Sequence, residues 1–418
     1  MRNRVIFHID VNSAYLSWEA VYRLQHGEQL DLRTVPSIVG GNQESRHGIV
    51  LAKSIPTKKY GIRTGESIFE ARLKCKDLII VPPRYDLYMQ ASSSLHEMLQ
   101  EYTPQIQRFS VDESFLDLTG THKLYGENYL EIANVIKDRV KNELGFTVNI
   151  GISNNKLLAK VASDFQKPDN IHTLFPWEIE DKMWPLDVGD LFMVGRSTEN
   201  KLRKLGIDTI GDLANTDPEI LKYHLKSHGL LVWSYANGKD DSEVRKSNHI
   251  EMKGIGNSTT IHFDVDEKVT AHKIILSLCE KVGMRLRASE NRCKVVSVTI
   301  RNNQFISYSR QSKLHNPIDS TKQIAQLACR LFDQVWQGEP IRKLGVHISE
   351  LCHNEYYQVS LFEENDVDKL KSIDKVVDSI RLKYGSKSIV RSVFIHSDVS
   401  PLNGGIGEDD YPMMTSIL

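Results

Sequence analysis

Two stretches decide the fold: VIFHID at residues 5–10 and FSVDESFL at residues 109–116. Each has the apolar character of a β-strand, yet together they carry Asp10, Asp112 and Glu113. Burying several carboxylates together is costly unless a positive charge joins them. Because hard oxygen ligands suit Mg²⁺, the sequence predicts a magnesium site on adjacent strands. Such a site indicates phosphoryl or nucleotidyl transfer.

The composition is that of a globular protein. The chain has 418 residues, of which 40% are hydrophobic and 26% are charged, a size suited to about two to four domains. No apolar run approaches the roughly 20 residues of a membrane span, and no signal-peptide pattern follows Met1. We therefore expect a cytoplasmic protein without a membrane partner. The five cysteines form no Cys-x-x-Cys pair, which argues against zinc and disulfides.

The formal net charge of −1 hides an uneven distribution. Lys and Arg outnumber Asp and Glu between Arg245 and Cys352, whereas the segment from His353 to Leu418 is acidic. A basic block beside a near-neutral remainder is typical of a module that binds a polyanion. By composition alone, a solvated charged surface is the stronger alternative.

The order of the expected elements predicts an α+β multidomain protein. Strands alternate with helices around the carboxylates, and residues 185–240 have the pattern of short, closely spaced helices. Residues 250–350 have a βαββαβ order, which predicts a separate domain. An apolar stripe from Val367 to Tyr384, ended by Gly385, predicts a helix that docks on its own protein. A partner-binding helix is the alternative.

Two groups of motifs carry a resemblance to a known family. The first combines IDVNSAY at residues 9–15 with SVDESFLD at residues 110–117. The second is GISNNKLLAK at residues 151–160, followed by Lys167-Pro168. Together they resemble the Y-family DNA polymerases, the bacterial translesion enzymes of the UmuC type. The resemblance extends over most of the chain.

The resemblance implies a right-hand polymerase. Its palm would span residues 1–30 and 83–180, its fingers 31–82, its helical thumb 181–243 and its βαββαβ little finger 244–352. Residues 353–418 would form a C-terminal tail. The implied activity is that of a DNA-directed DNA polymerase that adds dNTPs to a primer on primer-template DNA, performing translesion synthesis by two-metal nucleotidyl transfer. We expect a monomer.

The resemblance also assigns the residues of the catalytic site. Asp10, Asp112, Glu113 and the backbone carbonyl of Val11 would hold two Mg²⁺ ions, for which Mn²⁺ could substitute. Tyr15 would be the steric gate that excludes a 2′-hydroxyl, although an aromatic core residue is the alternative. The implied nucleotide-binding residues are Asn12, Ser13, Ala14, Tyr15, Lys58 and Lys167.

The fingers segment departs from the commonest family pattern. AKSIPTKKYG at residues 52–61 is more UmuC-like, with Lys58 where many members have an arginine. Lys53 or Lys59 could bind the phosphates instead of Lys58.

Later segments predict DNA contacts. Residues 191–207 resemble a helix-hairpin-helix whose turn includes Gly195 and whose second helix ends at Gly206, although Val194 replaces the usual first glycine. Within the basic block, the candidate phosphate contacts are Arg285, Arg287, Arg292, Lys294 and Arg301. Contacts of this kind give salt-dependent affinity and carry little sequence information.

The tail contains a pentapeptide that resembles the bacterial sliding-clamp-binding motif. It consists of Gln358, Val359, Ser360, Leu361 and Phe362. Leu361 and Phe362 would be apolar anchors in a pocket of the clamp. An edge strand of the little finger is the alternative.

Two other functions remain open from the sequence. One is a feeble or inactive family member that regulates through clamp and DNA binding, against which the complete carboxylate set argues. The other is a palm-like nucleotidyl cyclase, whose sheet also holds two metals. The chain lacks the Gly-Gly-Asp/Glu-Glu-Phe turn of those enzymes and has thumb, basic and clamp elements that a cyclase does not need.

Overall fold

The described part of the chain comprises residues 4–41, 46, 48–121, 128–245, 252–353 and 367–402 of a computed structural model. These residues fall into two units. The first lies within Met1–Gly41 and Ile49–Ile250, and the second lies mostly within Glu251–Asp410. Among the helices of the described residues, none combines the length and the apolar character that crossing a membrane requires.

The first unit alternates strands and helices. In chain order its strands are β1 Ile6–Val11, β2 Ser37–Gly40, β3 Val50–Lys53, β4 Ile79–Val81, β5 Ile106–Arg108, β6 Glu113–Asp117, β7 Val148–Ser153 and β8 Ile171–Thr173. Its α-helices are α1 Ala14–Gln25, α2 Ile68–Lys74, α3 Tyr85–Gln100, α4 Tyr129–Arg139, α5 Lys156–Ser163, α6 Ile179–Lys182, α7 Arg196–Arg203, α8 Ile210–Asn215, α9 Pro218–Leu225 and α10 Ser227–Ala236.

The central sheet of this unit has the order β5-β6-β1-β7-β8. Strand β1 lies in its middle and is antiparallel to both β6 and β7. Side chains alternate between the two faces of a strand. Phe7 and Ile9 accordingly pack in the core with α1, α3 and α4, while Ile6 packs on the opposite side with α5 and the helices that follow it. His8 and Asp10 share the face of Ile6, so both point toward α5.

A smaller sheet, β3-β2-β4, lies within residues 37–81. Its core includes Ile38, Val50 and Ile68, and α2 begins at a capping box formed by Ser67 and Glu70. The region 185–240 is helical as expected, in α7 to α10. The assignment of these elements to palm, fingers and thumb remains a prediction.

The end of α7 agrees with the expectation that Gly206 caps it. The helix begins after Gly195 and ends at Arg203, three residues before Gly206. Gly206 has a φ of +76°, and its N–H donates to the carbonyl of Arg203. In this left-handed position Gly206 caps the end of α7 in a Schellman arrangement, since the Ile207 N–H also donates to the Leu202 carbonyl at 3.1 Å, as the sequence predicted.

The second unit confirms the predicted βαββαβ order. Its elements are β9 Gly254–Val265, α11 Lys268–Ala288, β10 Asn291–Asn302, β11 Ser307–Ile318, α12 Thr321–Val335, β12 Ile341–His353 and α13 Val367–Tyr384. The strands form an antiparallel sheet of order β11-β10-β12-β9. Val296, Val298 and Ile300 pack against the helices on one face.

Helix α13 docks on the second unit, but through charged side chains. Asp374 is buried and accepts a hydrogen bond from the Thr321 N–H at 3.1 Å, and buried Arg381 donates to Glu280 at 3.1 Å. Ile373 and Tyr384 of the predicted apolar stripe are instead 45% and 67% exposed. Leu370, Val377 and Ile380 of the stripe are half-buried, so the stripe faces the protein in part, and the docking of the helix on its own protein is as predicted.

Candidate active site

The register of β1 and β6 brings the carboxylates together. Asp10 lies directly opposite Glu113 across the two strands. The N–H of Val11 donates to the carbonyl of Asp112 at 3.0 Å, and Asp112 itself accepts from the Ser110 hydroxyl at 2.5 Å. Segments about a hundred residues apart in sequence thus place their acidic residues at one end of the sheet.

Two lysines neutralise this acidic group. The ammonium of Lys167 donates to Asp10 at 2.6 Å and to Asp164 at 2.8 Å. The ammonium of Lys160, on α5, donates to Glu113. These bonds follow from the strand alternation, because the face of β1 that carries Asp10 is the face covered by α5.

Burial shapes the electrostatics of the site. It raises the pKa of Asp10 to about 7 in spite of the nearby ammonium of Lys167, and the carboxylates of Glu113 and Asp112 add to the effect. Burial likewise raises the pKa of Asp112, although the Ser110 hydroxyl partly opposes it. A nearby cation stabilises the ionised form of such buried carboxyls, so these side chains favour the binding of a cation.

The donor set fits a divalent cation. Among the described residues, no group of three or more His, Cys, Asp and Glu side chains is already arranged around a metal position. Lys160 is instead paired with Glu113, and Lys167 with Asp10. Carboxylate and carbonyl oxygens are nevertheless the ligands that Mg²⁺ prefers, and these carboxylates need positive charge. Asp10, Asp112, Glu113 and the Val11 carbonyl would hold such an ion.

Two residues of the GISNNKLLAK block fix the position of α5. A Cβ atom on Gly151 of β7 would lie 1.9 Å from the carbonyl oxygen of Ala159 and 2.5 Å from the N–H nitrogen of Ser163. Only glycine therefore permits this approach of helix to strand. Asn155 caps the helix by accepting from the Leu158 N–H at 2.8 Å. Both residues thereby position Lys160.

Sequence reasoning missed two residues of the site, His8 and Lys160. His8 is fully buried, with Nδ1 2.7 Å from the Ser163 hydroxyl and Nε2 3.7 Å from a Glu113 oxygen. Burial and the cations Lys160 and Lys167 lower the pKa of His8 well below its usual value, so the ring is neutral. The sequence contained a signal for each residue. His8 lies on the same strand face as the predicted ligand Asp10, and Lys160 is the last residue of the GISNNKLLAK motif.

Tyr15 lies in the first turn of α1, next to the carboxylate end of β1. Its half-buried ring stacks on Tyr88 of α3 at a centroid distance of 4.5 Å and an interplanar angle of 14°. Ser13 and Ala14 belong to the same helix start, where N–H groups lack partners within the helix. Asn12 differs, because its N–H donates to the Thr147 carbonyl at 3.0 Å. The backbone amide of Asn12 is thus a poor candidate for phosphate binding.

The three lysines within residues 52–61 differ in their surroundings. Lys58 is exposed in a 3₁₀ turn spanning Ile55–Tyr60. The ammonium of Lys53 donates to the Ile62 carbonyl, and Lys59 lies over the Tyr60 ring at 4.9 Å. Lys53 is therefore the weakest of the three candidates for binding a phosphate.

Two of the candidate DNA contacts need correction. The guanidinium of Arg287 donates to Asp378 at 2.6 and 2.9 Å and to the Thr321 hydroxyl at 3.0 Å. Arg292 is buried, 3.7 Å from Asp319. Both arginines stabilise the second unit from within, since they lie where α13 and the chain before α12 pack. Neither is available to a phosphate.

The other candidates are more accessible. Gly195, Arg285 and Arg301 are exposed, and Lys294 is half-buried. Arg301 lies on the sheet face opposite the helices, beside Lys343, which sequence reasoning missed. The strand register continues this face with small side chains. The cross-strand neighbours there are Ser258, Gly345, Thr299 and Ser309. Such a face lets a phosphate backbone approach closely beside the two cations.

The pentapeptide predicted to bind the sliding clamp, residues 358–362, lies outside the described residues.

Comparison with known proteins agrees with this fold. A Y-family DNA polymerase chimera superposes with a TM-score of 0.70 at 22% identity, covering 84% of this chain and 100% of the chimera. Models of the impB/mucB/samB family and of its C-terminal domain match residues 9–164 and 252–361. The fold is thus that of a Y-family DNA polymerase.

Sequence relatives make the assignment more specific. The DNA polymerase IV of Clostridium acetobutylicum is 50% identical over 396 residues, which cover 95% of this chain and 99% of the relative. The DNA polymerase IV of Acetivibrio thermocellus is 38% identical and covers 94% of this chain and 98% of the relative. The chain belongs to the impB/mucB/samB family, the Y-family DNA polymerases, and is a DNA-directed DNA polymerase. This membership excludes the nucleotidyl cyclase alternative.

Proposed function

We propose that the chain performs translesion synthesis by joining a dNTP to a primer 3′-hydroxyl, with two Mg²⁺ ions held by Asp10, Asp112, Glu113 and the Val11 carbonyl. Mn²⁺ could substitute. The observation that supports this most is the register that sets Asp10 opposite Glu113, with Val11 hydrogen-bonded to Asp112. Two divalent cations would activate the attacking hydroxyl and neutralise the leaving pyrophosphate.

The chain's own cations complete the site. Lys167 lies within hydrogen-bond distance of Asp10, so its ammonium is beside the position of a triphosphate bound at these carboxylates. Lys58 is exposed and able to reach a ligand. Tyr15 would face the sugar and exclude a 2′-hydroxyl by collision. The N–H groups of Ser13 and Ala14 would bind phosphate oxygens at the start of α1.

Replacing Lys58 or Lys167 by alanine should raise the KM for dNTP by about 10- to 100-fold, because each loses a charge-assisted phosphate contact. Single-nucleotide incorporation at varied dNTP concentration measures this. Lys76→Ala is the matched control, since it removes another exposed lysine of residues 31–82, and its KM should change by less than about threefold. A larger effect of Lys59→Ala than of Lys58→Ala would assign the phosphate contact to Lys59 instead.

We further propose that the open face of the second unit binds the DNA backbone. Arg301 and Lys343 lie side by side next to the row of small residues, on the sheet face opposite the helices. Contacts of this kind position the duplex without reading its sequence. That property suits a polymerase that must accept any template.

The enzyme would act as a monomer recruited to DNA by the sliding clamp through residues 358–362. Primer extension on a damaged template, with and without clamp, tests both the activity and the recruitment. Phe362→Ala should lose most of the stimulation by the clamp, because an apolar anchor of such a peptide contributes about tenfold or more to binding. Clamp-free extension is the reference for each variant.

Glu363→Ala, just beyond the pentapeptide, is the control and should respond to the clamp as the wild type does. If Phe362→Ala is stimulated normally, the pentapeptide is not the recruitment site. If the wild type fails to extend any primer, the alternative of a feeble, regulatory family member is favoured.

A further inference from the structure

Tyr15, the proposed steric gate, packs in a cluster of aromatic side chains. Tyr15 stacks on Tyr88, and its ring also meets Tyr85 edge-on at 6.1 Å and Trp18 at 6.0 Å. Tyr15 and Trp18 lie on α1, whereas Tyr85 and Tyr88 lie on α3. The Tyr15 ring is thus positioned by a second helix, about 70 residues away in sequence, and most directly by Tyr88, whose side chain is 1% exposed.

A buried carboxylate holds Tyr88 in turn. Glu19, one helical turn after Tyr15 and fully buried, accepts from the Tyr88 hydroxyl at 3.4 Å. The same carboxylate accepts from Arg84 at 2.8 and 3.0 Å and from Arg23 at 2.7 Å. The two paired guanidiniums hold the Glu19 carboxylate in place. Helix α1 therefore carries both Tyr15, the proposed steric gate, and Glu19, which accepts the hydrogen bond that orients the Tyr88 ring.

The start of α1 depends on this packing. Ser13 has a left-handed φ of 51° and its side chain makes no capping hydrogen bond. Without a side-chain cap, contacts with α3 help to hold the first turn, where Tyr15 lies, together with the Ser17 hydroxyl, which donates to the Asn12 carbonyl at 2.5 Å. A steric gate excludes a ribonucleotide only if its ring keeps its position when a 2′-hydroxyl approaches.

We propose that Tyr88, oriented by Glu19, is a positioning residue that fixes the Tyr15 ring and so helps to determine sugar specificity. This rests on the proposed function of Tyr15 as the steric gate. Loss of one stacked aromatic partner corresponds to about a tenfold shift between a fixed and a displaced ring. Tyr88 touches neither sugar nor phosphate in this proposal and acts only through Tyr15.

The test measures kcat/KM for a dNTP and for the matching rNTP in single-nucleotide incorporation. Tyr88→Leu should lower the ratio of dNTP to rNTP efficiency by about tenfold, whereas Tyr88→Phe, which keeps the stacked ring, should stay within about threefold of the wild type. Tyr102→Leu is the control: Tyr102 is a buried tyrosine of the same core, with its hydroxyl bonded to Arg139. Its loss should not change the ratio, even if stability falls.

A double-mutant cycle with Tyr15→Ala separates the proposal from its premise. If Tyr88 acts through Tyr15, Tyr88→Leu should have no further effect on the ratio once Tyr15 is alanine. A normal ratio in Tyr88→Leu, together with a lowered ratio in Tyr15→Ala, would overturn the role of Tyr88 and leave the steric gate intact. A normal ratio in Tyr15→Ala would overturn the gate itself.

A variant outside the core guards against misfolding of Tyr88→Leu. The Arg84 side chain is 36% exposed, so Arg84→Ala weakens the hold on Glu19 without opening a cavity. It should lower the ratio by about threefold. An unchanged ratio in Arg84→Ala would contradict the role given to Glu19.

Discussion

Replacing Asp112 or Glu113 by alanine is expected to abolish primer extension, lowering its rate by about a thousandfold or more, while DNA binding survives. Glu113 begins β6 opposite Asp10 in β1, and Asp112 immediately precedes it; both would bind the divalent cations. Removing either side chain deletes a negatively charged ligand from a site whose proposed chemistry depends on bound divalent cations. A primer-extension gel and a DNA-binding titration on the same preparations measure the two effects.

Asp117→Asn is the matched control for this prediction. Asp117 lies on the same strand, four residues after Glu113, and accepts from the Thr119 N–H at 2.8 Å. It is paired with Ile6 at the other end of β1, away from the proposed ligands. Asp117→Asn should therefore extend primers at close to the wild-type rate. Full activity of both Asp112→Ala and Glu113→Ala would disprove the assignment of the catalytic carboxylates.

The second large effect is expected from Gly151→Ala. The added Cβ would meet the backbone of Ala159 at 1.9 Å, and no rotation of a side chain can relieve a contact between backbone atoms. Helix α5 must therefore move away from β7, which costs about 3 kcal/mol or more and lowers the thermal midpoint by roughly 6–12 °C. Since α5 carries Lys160 and precedes Lys167, primer extension should fall as well.

Gly195→Ala supplies the control for this substitution. Gly195 has a φ of −87°, and no atom lies within 4 Å of the position that a Cβ would take there, so alanine is accommodated without strain. Its thermal midpoint should change by less than about 2 °C. Equal thermal midpoints for Gly151→Ala and the wild type would mean that α5 lies farther from β7 than the 1.9 Å contact between the added Cβ and the Ala159 carbonyl oxygen implies.

The sequence alone identified the local patterns and the family motifs. The βαββαβ order of the second unit follows from residues whose apolar period is visible over about 10 to 20 positions, and the structure confirms it. The family motifs predicted a Y-family polymerase, which the relatives confirm. That Asp10, Asp112 and Glu113 form the metal site stays a prediction, although β1 and β6 bring the three together.

Only the tertiary structure decided which partner each charged group has. Arg287 and Arg301 look alike in the sequence, yet one is bound to Asp378 and the other is exposed on the open sheet face. Likewise, nothing near Tyr15 in sequence reveals Tyr88, since α1 and α3 meet only in the fold. Periodicity is a local property of the chain, whereas burial and ion pairing depend on segments that are distant in sequence. The carboxylate strands and Lys167 could therefore be recognised from sequence, but the contacts of Lys160 and His8 with Glu113 became apparent only in three dimensions.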